Sequence, residues 1–306
     1  MKTTAPWPQA LIALLAATGL AGPWAARADT VVVAVAANFV GPLTKLGEGF
    51  TAATGHNLTL IAGSTGKFYS QIAAGAPFEV LLAADDETPR KLIRQGLAVA
   101  GSNFTYAVGV LVVWSATRGY VDDHGTVLAA GKFNKLAIAN PKLAPYGRAG
   151  MEMLKSLGLS DVMAPKLVTA ESIAQAYQFV ATGNAELGLV ALSQVIGAGP
   201  PQAHERPLGG QAPKALGGQV IGAGPPPANE RPPGGQAPKA PGGQAVLSGK
   251  PLVGSYWRVP ANLHSEIRQD AVLLKPGEKK PAAAALLAYL KSAPAKAVIE
   301  AYGYSF

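Results

Sequence analysis

Short apolar runs alternate along the chain with segments in which apolar residues recur every three or four positions. The runs are rich in Val, Leu, Ile and Ala and predict strands at 31–36, 58–62, 80–84, 107–113, 136–139, 166–168, 187–191 and 271–274. The helical spacing predicts helices at 43–54, 68–74, 88–95, 149–157, 172–181, 282–290 and 295–301. Because strands and helices alternate, we expect an α/β fold with mostly parallel sheets that helices cover on both faces.

The N-terminal segment, residues 1–28, has the features of a signal peptide. Lys2 supplies a positive charge, residues 10–20 form an apolar run, and Ala26-Arg27-Ala28 fits a small-residue cleavage site. The run is short for a membrane span of about 20 residues. We therefore expect an exported, soluble mature chain that begins near Asp29.

An internal repeat interrupts the alternation at 196–245. Two 25-residue copies, Ile196–Val220 and Ile221–Ala245, match at 20 positions and together contain 12 Gly and 11 Pro. Such a composition buries too little apolar surface to offset the entropy of ordering. We predict a disordered or polyproline-like surface loop.

The composition of the chain excludes several classes of site. Its 306 residues suffice for about two domains, or for one domain with two lobes, and contain no cysteine. Cysteine-ligated metals, thiol catalysis and disulfides are therefore excluded. The four histidines, His56, His124, His204 and His264, are too scattered to predict a metal site. The net charge of +8 is spread along the chain without a block of Lys or Arg, so we expect no nucleic-acid partner.

The most informative polar segment is Gly63-Ser64-Thr65-Gly66-Lys67, between a predicted strand and a predicted helix. It is not a phosphate-binding P-loop, because Ile61 stands where the first glycine is required. Ser64 and Lys67 match the S-x-x-K motif of acyl-enzymes, although the companion motifs are absent. A turn of this kind also presents hydroxyl and amide donors to an anion. In the simplest alternative, Ser64 or Thr65 only caps the helix.

Similar junctions between a strand and a helix recur at 36–38, 140–147 and 170–173. In open α/β sheets, helix N-termini at the carboxyl ends of strands converge on one crevice. Their free N–H groups and helix dipoles favour a small anion without a neutralising Lys or Arg. Asp85 and Asp86 follow the third strand near this crevice. Because carboxylates repel an anion, we expect them to cap the next helix and to face away from the ligand.

Several ordered blocks resemble the periplasmic molybdate-binding proteins of molybdate ABC transporters. They are Ala36-Ala37-Asn38-Phe39, Ala62-Gly63-Ser64-Thr65-Gly66, Gln71-Ile72 with Gly75-Ala76-Pro77, Ala83-Ala84-Asp85, Ala139-Asn140-Pro141, Pro145-Tyr146-Gly147, Leu187-Gly188-Leu189-Val190 and Tyr302-Gly303-Tyr304. The resemblance runs from Thr30 to about Val195 and from about Ser255 to Phe306. It implies a two-lobed class II periplasmic-binding fold with the ligand in the cleft between the lobes. The first lobe is expected at 29–110 and 261–306, and the second at 111–260, interrupted by the repeat.

The resemblance also implies the ligand contacts. The first falls on Ala37 and Asn38, and the second on the hydroxyl residue Thr65 with Ser64 beside it. The remaining two contacts, made through backbone N–H groups of the second lobe, fall on Tyr146 and Ile173. Some members of the family add a Tyr hydroxyl at the position of Ala191, so that contact is absent here and Tyr146 is expected to compensate.

The function implied by the resemblance is that of an exported solute-binding protein. We expect it to capture molybdate, and tungstate, by neutral hydrogen-bond donors and to deliver the oxyanion to an ABC permease in the inner membrane. It is expected to be a periplasmic monomer without catalytic activity, cofactor or direct metal ligands. Two alternatives remain. One is a binding protein for another tetrahedral oxyanion such as sulfate or phosphate; the other is a serine acyl-enzyme that uses Ser64 and Lys67.

Overall fold

A computed structural model of the protein describes residues 28–197 and 254–306. The predicted signal peptide therefore lies outside the described residues except for Ala28. The predicted loop of the repeat also lies outside them, except for its first two residues. Ile196 and Gly197 are the end of a helix, so the repeat does not begin as a loop as predicted.

The described residues contain ten strands and ten α-helices, which are numbered here in chain order. The strands are β1 Thr30–Ala36, β2 Asn57–Gly63, β3 Val80–Leu82, β4 Phe104–Gly109, β5 Leu111–Ser115, β6 Leu136–Ala139, β7 Leu167–Ala170, β8 Leu187–Ala191, β9 Ser255–Arg258 and β10 Ile267–Leu273. The helices are α1 Val40–Thr54, α2 Thr65–Ala73, α3 Glu87–Arg94, α4 Thr126–Ala130, α5 Pro145–Ser156, α6 Ser160–Met163, α7 Ile173–Ala181, α8 Leu192–Gly197, α9 Pro281–Leu290 and α10 Ala293–Ala301.

The strands form two five-stranded sheets. The first has the order β2-β1-β3-β10-β4, and the second has the order β7-β6-β8-β5-β9. In each sheet one strand runs against the others, β10 in the first and β5 in the second. The predicted mostly parallel α/β architecture is confirmed. We call the part built on the first sheet the first lobe and the part built on the second sheet the second lobe.

The prediction of a single strand at 107–113 is wrong. β4 ends at Gly109 in the first sheet, and β5 begins at Leu111 in the second. The apolar run is continuous because both strands are buried in their own sheets, so hydropathy carries no sign of the crossing. The chain returns to the first sheet between β9 and β10, through a 3-10 turn at Ala261–Leu263.

Helix α1 forms as its sequence predicts. Leu43, Leu46 and Phe50 are buried against the first sheet. The helix ends at Gly55, which has a φ of +74°; a glycine adopts this left-handed conformation without the steric cost of a Cβ atom. The sequence pattern missed α4, α6, α8 and β9. Each is at most six residues long, which is too short for a periodic pattern to be visible.

No single helix among the described residues has the length and apolar character needed to cross a bilayer. In the part of the chain that the structure describes, one bent pair, Pro281–Leu290 and Ala293–Ala301, reaches that length and apolar character when its two helices, which meet at 62°, are taken together.

Candidate anion-binding site

The four strand–helix junctions meet where the two lobes face each other. Ala36 at the end of β1 shares one buried apolar cluster with Tyr146, Ile173 and Ala191 of the second lobe, and Ala37 packs against it. The cluster therefore contains residues from the carboxyl ends of strands in both sheets. This is the crevice in which open α/β sheets bind ligands.

Ser64 stands at the junction between β2 and α2. It occupies the position before the first helical residue with an extended backbone, yet its side chain makes no capping hydrogen bond. The Oγ atom is buried and has no hydrogen-bond partner among the described residues. The capping alternative is therefore wrong for Ser64. A buried hydroxyl without a partner costs free energy, and a bound acceptor would remove that cost.

Thr65 ties this junction to the end of the neighbouring strand. Its Oγ1 accepts a hydrogen bond of 2.9 Å from the Ala84 amide, two residues after β3. Thr65 is buried, and its hydroxyl hydrogen remains available because the bond from Ala84 uses only a lone pair. Ser64 and Thr65 thus present two adjacent hydroxyl groups at the start of a helix.

Asn38 lies in the 3-10 turn Ala37–Phe39 that follows β1. Its side chain is committed to the protein interior, because Nδ2 donates to Gln269 Oε1 at 2.9 Å and to Tyr304 Oη at 3.0 Å. It caps neither the turn nor α1. A contact from this junction to an anion is therefore left to the backbone amides of Ala37 and Asn38.

Tyr146 is the second residue of α5, which begins four residues earlier than predicted. Its amide lies in the first helical turn, where N–H groups have no partner within the helix. The side chain is buried, and its hydroxyl accepts a hydrogen bond of 3.1 Å from Gln269 Nε2 of the first lobe. Burial raises the pKa of Tyr146 well above its ordinary value, so the hydroxyl stays neutral.

Ile173 is the first residue of α7, and its side chain is buried. The preceding Ser172 caps the helix, since its Oγ accepts from the Gln175 amide at 3.3 Å. The Ile173 amide is again one of the first N–H groups of a helix. Ala191 occupies the position at which some members of the family contribute a Tyr hydroxyl, and it is fully buried at the end of β8.

Ion pairs join the lobes beside these junctions. Lys67 of α2 bonds Glu171 of the second lobe at 2.8 Å. Arg148 of α5 bonds Asp85 of the first lobe at 3.3 Å. Burial raises the pKa of Asp85, while its hydrogen bonds with Thr88 and the positive charge of Arg148 act in the opposite direction.

The two aspartates differ in their roles. Asp85 caps α3 as predicted, because its Oδ1 accepts from the Thr88 amide at 2.9 Å. The prediction of capping is wrong for Asp86, whose side chain makes no capping bond and instead pairs with Arg90 at 2.7 Å.

The backbones of the two lobes also meet at Gly66. Its amide donates to Leu143 O of the second lobe at 2.9 Å. A Cβ at Gly66 would lie 3.0 Å from both the Cα and the O atom of Leu143. A cavity of about 160 Å³ opens beside this contact, between Tyr69 of the first lobe and Arg148 of the second. The lobes are therefore in contact along one side of the crevice.

Three buried polar residues near the site were missed in the sequence, namely Gln269, Tyr304 and Ser193. Tyr304 Oη and Ser193 Oγ each lie 2.9 Å from Asn38 O. They are more than 150 positions away from Asn38 along the chain, so no local motif connects them. The C-terminal Tyr302-Gly303-Tyr304 block pointed to Tyr304, whereas no motif contained Gln269 or Ser193.

Two mixed sheets between which the chain crosses twice, with strand–helix junctions of both lobes meeting at one crevice, define the two-lobed fold of solute-binding proteins. Among residues 28–197 and 254–306, no three His, Cys, Asp or Glu side chains cluster as a metal site would require. Residues 31–231 and 239–305 match the family of bacterial extracellular solute-binding proteins. The chain belongs to that family.

Proteins of known name are similar over nearly the whole chain. The molybdate-binding protein ModA of Azotobacter vinelandii is 49% identical over 280 residues, which cover 92% of this chain and 91% of that protein. ModA of Rhodobacter capsulatus is 43% identical over 292 residues, or 95% and 94% of the two chains. The solved periplasmic molybdate-binding protein of Azotobacter vinelandii superposes with a TM-score of 0.70 at 36% identity, covering 90% of this chain and 99% of that one.

Proposed function

We propose that this protein is an exported binding protein that captures molybdate in the crevice between its lobes. The proposal rests on the buried Ser64 Oγ, which has no hydrogen-bond partner among the described residues and lies immediately before α2. The same helix start contacts the second lobe, because the Gly66 amide donates to Leu143 O. The similarity to molybdate-binding proteins along more than nine tenths of the chain supports molybdate as the ligand.

The proposed contacts are neutral donors. The hydroxyl groups of Ser64 and Thr65 and the amides of Ala37, Asn38, Tyr146 and Ile173 surround the anion. Fixed dipoles act strongly in a site that excludes water, and the N-termini of α2, α5 and α7 add their positive ends. Selection against sulfate then comes from the size of the cage. A protonated anion such as hydrogen phosphate is disfavoured because its O–H group would find no acceptor.

The bound oxyanion is proposed to stabilise the closed arrangement, because its contacts come from both lobes. The Gly66–Leu143 hydrogen bond and the Lys67–Glu171 pair already connect the lobes around this position. The closed, loaded protein then docks as a monomer on an ABC permease from the periplasmic side. The proposed cycle uses no cofactor.

A serine acyl-enzyme is disfavoured by the position of Lys67. Its Nζ bonds Glu171 at 2.8 Å, and no group among the described residues accepts the proton of Ser64 Oγ. A serine nucleophile requires a base within hydrogen-bond distance. The geometry of these two residues supports binding and not acyl transfer.

Calorimetry of the mature chain with molybdate, tungstate, sulfate and phosphate tests the proposal. We expect tight binding of molybdate, comparable binding of tungstate, and weak or undetectable binding of sulfate and phosphate. Tight binding of sulfate, or no heat with molybdate, would contradict the proposed function.

A further inference from the structure

Gln269 is a polar side chain of β10 that none of the four junctions contains, and it is 0% exposed. Buried polar groups in proteins are hydrogen-bonded, and Gln269 uses both ends of its amide. Oε1 accepts from Asn38 Nδ2 at 2.9 Å and from Tyr106 Oη at 3.0 Å. Nε2 donates to Tyr146 Oη at 3.1 Å. One side chain thus bonds to residues of both lobes.

Each partner of Gln269 leads to a proposed ligand contact. Asn38 belongs to the first junction and Tyr146 to the third. The Tyr106 hydroxyl lies at the same distance of 3.0 Å from Ala83 O, so that its one hydrogen is shared between Ala83 O and Gln269 Oε1. The next residue, Ala84, donates to Thr65. Gln269 is therefore connected to three of the four junctions without belonging to any of them.

The backbone around Gln269 is adapted to this contact. The pairing of β10 with β4 shifts register between Gln269 and Asp270, and bulges of this kind redirect side chains beside functional sites. On β4, a Cβ at Gly109 would overlap the Tyr146 hydroxyl and lie 2.6 Å from Gln269 Nε2. Glycine at 109 therefore leaves the space in which Tyr146 and Gln269 meet.

We propose that Gln269 is a positioning residue that holds the donors of the two lobes in the geometry that fits the oxyanion. It acts through Asn38 and Tyr146 and does not contact the ligand. This inference rests on the proposed function, since the contacts that it positions are the proposed ones.

The first test replaces Gln269 by an apolar side chain of similar length. Gln269→Met removes all three hydrogen bonds, and we expect the affinity for molybdate to fall about tenfold. Gln71→Met is the matched control, because Gln71 Oε1 has no partner among the described residues and its helix contacts the anion only at the other end. We expect the control to bind molybdate as the unchanged chain does.

A second variant gives a readout that loss of packing would not produce. In Gln269→Glu the side chain keeps its shape. When neutral, the new carboxyl both donates and accepts, as the amide does; when ionised, it only accepts and adds a negative charge near the anion. Burial at this position raises the pKa of a carboxyl well above its ordinary value of about 4.3. We therefore expect the affinity of this variant for molybdate to approach that of the unchanged chain at about pH 6 and to fall towards about pH 9. The loss of affinity for molybdate in Gln269→Met is expected to be independent of pH.

A double-mutant cycle tests the path through Tyr146. Gln269→Met and Tyr146→Phe remove opposite ends of one hydrogen bond, so the double variant is expected to lose much less affinity than the product of the two single losses. The inference is overturned if the double variant loses the full product of the two single losses in affinity. It is also overturned if Gln269→Met folds and binds molybdate as the unchanged chain does. If Gln269→Met does not fold, a flat pH profile of Gln269→Glu overturns it. An unchanged chain that binds no molybdate overturns the proposed function itself, and this inference with it.

Discussion

The ammonium group of Lys67 lies 2.8 Å from the carboxylate of Glu171, across the seam between the two lobes. The pair joins the first turn of α2 to the residue that follows β7. The pair commits the lysine of the S-x-x-K motif to a contact between the lobes. Both side chains are about half exposed, so the pair contributes little to stability in water.

Breaking this pair is expected to weaken ligand binding slightly. Lys67→Met should lower the affinity for molybdate by no more than about fivefold, because an exposed ion pair stabilises by less than about 1 kcal/mol. Calorimetry at low and high salt measures the effect, which should shrink as salt screens the pair in the unchanged chain.

Lys45→Met is the matched control for that substitution. Lys45 pairs with Glu48 inside α1 at 2.5 Å, within one lobe. We expect its removal to leave the affinity unchanged at every salt concentration. An equal effect of the two substitutions would show that the Lys67 pair has no role in closure.

Ser64→Ala is expected to change affinity and stability in opposite directions. Loss of the proposed donor should weaken molybdate binding about tenfold or more. The ligand-free protein should become more stable by about 1 kcal/mol, because a buried hydroxyl without a partner is removed. Calorimetry and denaturant unfolding measure the two quantities. The control is Ser70→Ala, on the exposed side of the same helix, which should not change the affinity for molybdate. If Ser64→Ala instead lowers the stability and leaves the affinity unchanged, the role assigned to Ser64 is contradicted.

Gly109→Ala is expected to separate the Gln269 amide from the Tyr146 hydroxyl. The added methyl group would overlap the hydroxyl, so we expect weaker molybdate binding and a protein less stable by about 1–3 kcal/mol. The control is Gly47→Ala, within α1, where the added Cβ would contact only Leu58 Cδ1, at 3.6 Å. It should stabilise the protein by about 0.5–1 kcal/mol through helix propensity. Thermal unfolding with and without molybdate distinguishes these outcomes.

Tyr177→Phe is expected to stabilise the second lobe. Tyr177 stacks on Trp114 with ring centroids 4.6 Å apart, and its hydroxyl is buried without a partner among the described residues. Burial raises the pKa of Tyr177 from 10.0 to about 12. At a pH between these two pKa values, the Tyr177 hydroxyl is deprotonated in the unfolded chain but keeps its proton in the folded protein. The free energy of unfolding therefore falls as the pH rises through this range. The variant should unfold less readily at neutral pH and lose stability less steeply above pH 10.

Denaturant unfolding at neutral and alkaline pH measures both effects. Tyr120→Phe is a suitable control, because the Tyr120 hydroxyl donates to Lys132 O at 3.1 Å and its loss should not stabilise the protein. An unchanged alkaline slope in Tyr177→Phe would exclude Tyr177 as the source of that pH dependence.

Local pattern predicted most of the fold. The strand β1, with its run of Val and Ala residues, and the helix α1, with one apolar face and Gly55 after it, are where their sequences indicate. The first lobe was expected to end at 110, and β4 and β5 lie on either side of this position. The run at 107–113 was nevertheless predicted as one strand, because an apolar run looks the same whether it belongs to one sheet or to two. β9 was missed because its four residues alternate in burial over too short a length.

The site was predicted in part. Polar junctions at the ends of strands identified the segments around Asn38, Ser64 and Tyr146, and the structure brings them to one crevice. The direction of each side chain did not follow from the sequence. The Asn38 side chain belongs to a buried network with Gln269, whereas Ser64 does not cap its helix and has no hydrogen-bond partner within 28–197 and 254–306.

The sequence by itself determined the alternation of strands and helices, the polar junctions that end the strands, and the membership of a family. These depend on neighbours within a few positions or on the order of short blocks. Only the tertiary structure decided that Lys67 pairs with Glu171, that Asp85 caps a helix while Asp86 does not, and that Gln269 joins the two lobes. Gln269 and Asn38, both in the first lobe, are 231 positions apart, and their contact exists only after the first sheet has formed, because only β3 separates β10 from β1 in that sheet. The contact of Gln269 with Tyr146 requires in addition that the two lobes pack together.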